Sequence, residues 1–193
     1  MTQLGSLCVF CGSNFGRDPV YRRAAKAFAE LLAERRLTLV YGGGNVGLMG
    51  VIADTVMAGG GKVIGVIPQS LVNREVAHHG ITDLQVVTGM HERKQRMYEQ
   101  ADATVALPGG AGTFDELFEA FTWNQLGIHF KPVGLFNVDG YFDPLIAMLD
   151  RTVDQGFLRR EQRDLLVVAD NGPDLLEALA SVEPSGVPKW IHR

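Results

Sequence analysis

Leu37-Thr38-Leu39-Val40-Tyr41-Gly42-Gly43-Gly44-Asn45-Val46-Gly47-Leu48-Met49-Gly50 decides the fold. Leu37–Tyr41 reads as a buried strand, Gly42–Gly47 as a glycine turn, and Leu48–Met57 as a helix. Strand, glycine turn and helix form the repeating unit of a parallel sheet. Upstream, Leu7–Phe10 is another strand, followed by the loop Cys11-Gly12-Ser13-Asn14. Asp18 then stands before Pro19, an N-cap with proline at the first helical position. Tyr21, Ala24, Ala25, Phe28, Leu31 and Leu32 share one face of the helix that follows.

Downstream the alternation continues. Lys62–Ile67 is a strand stopped by Pro68, Gln69–Thr82 is polar and irregular, and Leu84–Val87 is a further strand. Met90–Gln100 reads as a helix, and Ala103–Leu107 as a strand ended by Pro108-Gly109-Gly110. Thr113–Asn124 is a helix whose Phe114, Leu117, Phe118 and Phe121 fall at core spacing. Val133–Phe136 and Leu165–Val168 are strands, and Tyr141–Gln155 and Pro173–Ser181 helices. The expectation is a doubly wound, Rossmann-like α/β fold: one parallel sheet with helices on both faces. A single domain spans residues 1–182, and 183–193, with Pro184, Gly186 and Pro188, forms an extended arm. Ligands of such sheets lie outside the carboxyl ends of the strands, where the glycine turns fall.

Composition narrows the function. The 18 Lys and Arg against 22 Asp and Glu leave a formal net charge of −4, so neither a nucleic-acid polymer nor an anionic membrane finds a basic field. Met1–Phe10 has no basic leader region, and no apolar run approaches the ~18 residues of a membrane span. The expectation is a cytoplasmic protein with its two cysteines reduced. Glycine is the one excess, 23 of 193 residues, against an average of about 7%.

Gly42-Gly43-Gly44-Asn45-Val46-Gly47 matches G-x-G-x-x-G between strand and helix. No carboxylate follows at the end of the next strand, which closes in Ile67-Pro68-Gln69, so the ribose anchor of a dinucleotide site is missing. A phosphate or ribose contact through Gly42, Gly43 and Gly44, with Gly12 and Ser13 beside them, stands against a turn that is tight and nothing more. Pro108-Gly109-Gly110-Ala111-Gly112-Thr113 is a second such turn, and two at one sheet edge are harder to dismiss than one. Without a following lysine it is not an ATPase loop. Asp115 and Glu116 are either favourable charges in the first helical turn or, for Glu116, a group facing whatever a bound phosphate carries. Met90, Arg93, Lys94 and Met97 form a stripe. Its cations either snorkel or clamp an anion.

Other chemistries find little support. Cys8 and Cys11 form a C-x-x-C, but one with no second pair for zinc and with Cys8 inside a strand. His78, His79, His91, His129 and His192 show no metal-ligand spacing, and no G-x-S-x-G elbow occurs. Trp123 fits either a core or a stacking role.

The segments CVFCGS (8–13), VYGGGNVGLMG (40–50), GVIPQSL (65–71), MHERK (90–94), PGGAGTFDE (108–116) and TWNQLG (122–127) resemble the Lonely Guy family. Its members are cytokinin riboside 5'-monophosphate phosphoribohydrolases, often labelled lysine decarboxylases. The P-G-G-x-G-T-x-x-E motif is met in full, with Ala111 where tyrosine is common. The resemblance spans Leu7 to about Phe157, and nothing in the chain suggests a pyridoxal-phosphate decarboxylase. It implies hydrolysis of the N-glycosidic bond of a nucleoside 5'-monophosphate, without cofactor or metal. Arg93 and Glu116 would form the catalytic pair. Glu75, Arg93, Lys94, Gly110, Ala111, Gly112, Thr113, Phe114, Asp115, Glu116 and Thr122 would line the substrate site. A homodimer at least is implied, with the site near the subunit interface. The rival readings are a non-catalytic carrier of a nucleotide or of the molybdenum cofactor, and a nucleotide sensor that changes assembly state.

Overall fold

The computed structural model describes residues 4–72 and 76–182. Glu75 and the arm 183–193 lie outside the described residues. Seven strands, β1 (Ser6–Phe10), β2 (Thr38–Tyr41), β3 (Val63–Pro68), β4 (Asp83–Val87), β5 (Ala103–Ala106), β6 (Val133–Phe136) and β7 (Leu166–Ala169), make one parallel sheet. Its order is β4-β3-β2-β1-β5-β6-β7. The chain winds outward from β1 to one edge and then returns to lay β5 on the other side of β1. The doubly wound expectation therefore holds, and the switch point lies between β1 and β5.

Helices α1 (Pro19–Glu34), α2 (Gly47–Ala58) and α8 (Gly172–Ser181) cover one face, burying Phe28, Leu32, Ile52 and Leu175. On the other face α4 (Met90–Glu99), α5 (Ala111–Gln125) and α6 (Asp143–Asp154) bury Met97, Leu117, Phe121 and Leu149. Because both faces are covered, the central strands read as unbroken apolar runs. Local signals agree with this packing. The Asp18 carboxylate accepts the Val20 N–H at 2.8 Å, a cap contributing about 1 kcal/mol. Asn171 caps α8 by accepting from Asp174 N–H at 3.0 Å.

Two expectations need correction, and one short element had none. The 69–82 stretch is not wholly irregular: α3 (Gln69–Val72) opens it, and Ala77 makes an antiparallel bridge to Gly44. A second short helix, α7 (Arg160–Arg163), has no apolar period to announce it. Phe118 is exposed rather than core. The buried face of α5 runs through Thr113, Glu116, Leu117, Ala120, Phe121 and Asn124, so Phe118 falls about 130° from its centre. Small Thr113 and Ala120 let the helix approach the sheet, and that rotation carries Glu116 inward. Among the described residues no helix is long and apolar enough to cross a membrane.

Candidate active site

The register Val9↔Tyr41 and Phe10↔Ala106 ends β1, β2 and β5 side by side, so their three turns meet at the carboxyl edge. They interlock through backbone. Gly12 N–H donates to Pro108 O (3.1 Å), and Leu48 N–H donates to Gly12 O (3.0 Å). Gly47, at φ +57°, lies so close to Ser13 that a Cβ there would stand 2.2 Å from its carbonyl carbon. A Cβ on Gly109 would meet Thr113 Oγ1 at 2.1 Å. These glycines are needed so that backbones can touch. At Gly110 and Gly112 a Cβ would meet nothing within 4 Å; no protein packing requires those two glycines.

Gly110 is the N-cap of α5 and supplies no side chain, so the first amides of a 15-residue helix face outward uncapped. Such an end favours an anion through free N–H groups and the helix dipole. Beside it a cavity of about 280 Å³ is lined by Gly12, Ser13, Tyr21, Gly109, Gly110 and Tyr141, among others. It sits at the switch point, where the fold class holds its ligands.

Close to the same turn lies a buried ion pair. Arg93 Nη1 donates to Glu116 Oε1 at 2.7 Å, with both side chains about nine-tenths buried. Arg93 Nε donates to Val66 O at 3.1 Å. One end of its guanidinium comes up against Gly42, where a Cβ would fall 1.9 Å from Nη2 and 3.1 Å from Cζ. The glycine turn after β2 thus seats the arginine. Neither Arg93 nor Glu116 lines the 280 Å³ cavity; Glu116 follows Thr113 by about one turn of the same helix. Burial pushes the Glu116 carboxyl above its ordinary value, while the charge and hydrogen bond of Arg93 pull it back. Tyr98 holds the helix at this point, its hydroxyl donating to Glu116 O at 2.6 Å.

Lys94 does not snorkel. Its ammonium is buried and donates to Asp115 Oδ2 (3.0 Å) and Glu119 Oε1 (3.1 Å). Burial acts to lower its pKa, but the two carboxylates outweigh that and raise it. Because α5 begins at Ala111, Asp115 and Glu116 lie beyond the first turn and are not capping charges. Thr122 is exposed further along α5, on the outward face it shares with Asp115, Phe118 and Glu119 and away from the Arg93–Glu116 pair. Phe114 is half-buried against Phe142. Trp123 is half-buried and packs edge-on to Tyr98 at 4.9 Å between ring centres. Gly43 and Gly44 are strapped by backbone, His78 N–H donating to Gly43 O at 2.9 Å and Gly44 bridging Ala77. Burial pushes the Cys8 and Cys11 thiols well up, which keeps them protonated and unreactive. Among the described residues no group of three or more metal-ligating side chains converges.

Sequence reasoning missed Tyr21 and Tyr141 as cavity walls and Tyr98 as the support of Glu116. Each depends on which strands become neighbours, and no local pattern carries that.

A doubly wound sheet with an uncapped glycine turn and a buried arginine–carboxylate pair at its switch point defines a Rossmann-like protein whose candidate site is suited to an anion. Comparison with known proteins narrows this. Residues 49–179 match the family model described as "Possible lysine decarboxylase". A cytokinin riboside 5'-monophosphate phosphoribohydrolase of Arabidopsis thaliana is 51% identical over 178 residues, 92% of this chain and 84% of the relative. One from Oryza sativa subsp. japonica is 48% identical over 178 residues, 92% of this chain and 74% of the relative. The chain belongs to this family, the Lonely Guy proteins. Among solved structures, the molybdenum cofactor binding protein of Rippkaea orientalis superposes with a TM-score of 0.67 at 22% identity, covering 91% of this chain and 94% of its own. That likeness is one of fold.

Proposed function

We propose that the protein hydrolyses the N-glycosidic bond of adenosine 5'-monophosphates, N6-modified ones included, releasing the free base and ribose 5-phosphate. The observation that carries this reading is the buried Arg93–Glu116 pair at 2.7 Å beside the uncapped start of α5. The family's named activity in relatives about half identical agrees with it. In this reading the amides of Gly110 to Thr113 hold the 5'-phosphate, and the Lys94 ammonium offsets the negative charges of Asp115 and Glu119 close by.

Glycosidic cleavage builds positive charge on the sugar in an oxocarbenium-like transition state. A fixed carboxylate stabilises that charge or orients the attacking water, and Glu116 takes this role. Water adds its hydroxyl to the anomeric carbon, the C–N bond breaks, and the base leaves with a proton. A guanidinium is a planar, bidentate fork suited to holding oxyanions, so Arg93 acts as a clamp on the carboxylate and the substrate rather than as a proton donor. A carrier of the same fold has no need of a buried carboxylate next to a phosphate, where like charge opposes binding.

The active form in this proposal is a cytoplasmic homodimer or larger assembly with the site near the interface. Phe118, Leu126, Ile128 and Phe130 stand exposed on α5 and the loop after it, an apolar patch of the kind a second copy covers. Incubation with AMP and with its N6-prenyl analogue, followed by chromatography, tests the activity. Free base and ribose 5-phosphate in equal amounts are expected. Saturable binding with neither product would overturn the reading in favour of a carrier.

A further inference from the structure

The turn between β5 and α5 has three successive carbonyls, and each is held by a different donor. Pro108 O accepts from Gly12 N–H at 3.1 Å, and Gly110 O accepts from Phe114 N–H at 3.1 Å. Between them, Gly109 O accepts from the phenol of Tyr141. With these three acceptors engaged, what the turn has to offer a ligand is its N–H groups.

The middle carbonyl is the vulnerable one. Its peptide joins Gly109 to Gly110, two residues without side-chain restraint, and a flip of such a peptide costs little. A flipped Gly109 carbonyl would put a negative dipole where an anion is to bind. We propose that Tyr141 is a positioning residue for the phosphorylated substrate: its hydroxyl locks the Gly109–Gly110 peptide so that the start of α5 offers only N–H groups.

Tyr141 is itself held in place by the turn after β6. Asp139 and Gly140 both take positive φ, +51° and +68°. Asn137 Oδ1 accepts from Phe142 N–H at 2.7 Å, and Asn137 Nδ2 donates to Asp143 Oδ1 at 2.7 Å. The Tyr141 ring stands edge-on to Tyr21 of α1, 5.6 Å between centres, and both rings line the cavity. Since β6 neighbours β5, this turn lies where a side chain can reach back over the β5 turn. Burial of the ring alone would need no hydroxyl, and phenylalanine would fill the same wall.

The inference deepens the proposed function and rests on it, so the test separates the two. Tyr141→Phe keeps the ring and removes the donor. Inorganic phosphate and ribose 5-phosphate are the probes, read by calorimetry and by the thermal shift each gives relative to the same variant without ligand. The expected result is about three- to tenfold weaker binding of both, the weight of one such hydrogen bond. KM for AMP should rise by the same factor with kcat within about twofold. Binding of free adenine, which carries no phosphate, should not change. Unaltered phosphate affinity, or a fall in kcat at constant KM, would overturn the role of Tyr141 while leaving the hydrolase reading intact. Failure of the unsubstituted protein to bind phosphate or release base would instead remove the hydrolase reading. A variant that has lost thermal stability is still scored by its phosphate-dependent shift.

Discussion

Glu116→Gln separates charge from shape at the centre of the site. Glutamine can still accept from Arg93 Nη1 through Oε1 across the present 2.7 Å, so the pair keeps its hydrogen bond and loses only the negative charge. Two effects on stability then oppose each other. The carboxylate no longer has to be ionised in a buried place, a cost visible in its raised pKa. Against that, the Arg93 charge, about nine-tenths buried, loses its counterion. The melting temperature should therefore move by only a few degrees, since neither effect dominates. Catalysis has no such compensation. A positioned carboxylate contributes roughly 10²–10⁴-fold, or about 3–5 kcal/mol of barrier, and kcat should fall by that factor. Phosphate affinity should be little changed, because the anion is assigned to the amides of Gly110–Thr113. The assay is release of adenine from AMP under saturation, alongside calorimetry with inorganic phosphate. Turnover within about threefold of the unsubstituted enzyme, with phosphate binding intact, would refute the role given to Glu116.

Further outcomes follow from the same geometry. Gly42→Ala places a Cβ 1.9 Å from Arg93 Nη2; the flexible guanidinium must move, so the protein should fold normally but lose at least about tenfold in kcat, measured in the same release assay. Gly47→Ala meets backbone at 2.2 Å from Ser13 and a φ of +57°, and should cost more than about 2 kcal/mol by urea denaturation. Because burial raises the Glu116 carboxyl above its usual value, the native state binds a proton that the unfolded chain has already released. The Glu116 contribution to stability therefore falls as pH rises from the unfolded value through the folded one; melting curves across that window should show the slope, and Glu116→Gln should lack it. If deprotonated Glu116 is required for turnover, the acid limb of kcat against pH should also lie above the usual carboxylate range, and a limb at or below pH 4.5 would contradict this. Ile128→Glu adds a charge to the exposed patch beside Leu126 and Phe130, and light scattering should report loss of the dimer with the monomer still folded.

Much of the fold was legible because its signals are local. The Asp18-Pro19 start of α1, the Pro68 end of β3 and the glycine turns after β2 and β5 each act within a few residues. The spacing of Arg93 and Lys94 put both cations on one stripe, and both are buried on α4. The reading of α5 was less secure. Periodicity marks which residues share a face but not how far the helix is rotated against its neighbour. Two overlapping stripes were available, one through Phe114 and Phe118 and one through Thr113 and Glu116. Packing against the sheet chose the second, leaving Phe118 in solvent and delivering a carboxylate to Arg93.

What the sequence by itself determined is the kind of protein: alternating buried strands and amphipathic helices admit few arrangements, and parallel strands place every strand-to-helix turn at the same edge. The motif PGGAGTFDE added the family and the candidate residues. Only the tertiary structure decided which turns touch. The return of the chain to lay β5 against β1 brings residues 12, 47 and 109 together, and the addition of β6 carries Tyr141 over Gly109. Those contacts join residues tens of positions apart, and their geometry exists only once the backbones have closed on one another. The same holds for the burial that raises the Glu116 pKa, since a carboxyl group acquires a dielectric environment from its neighbours in space and not from its neighbours in the chain.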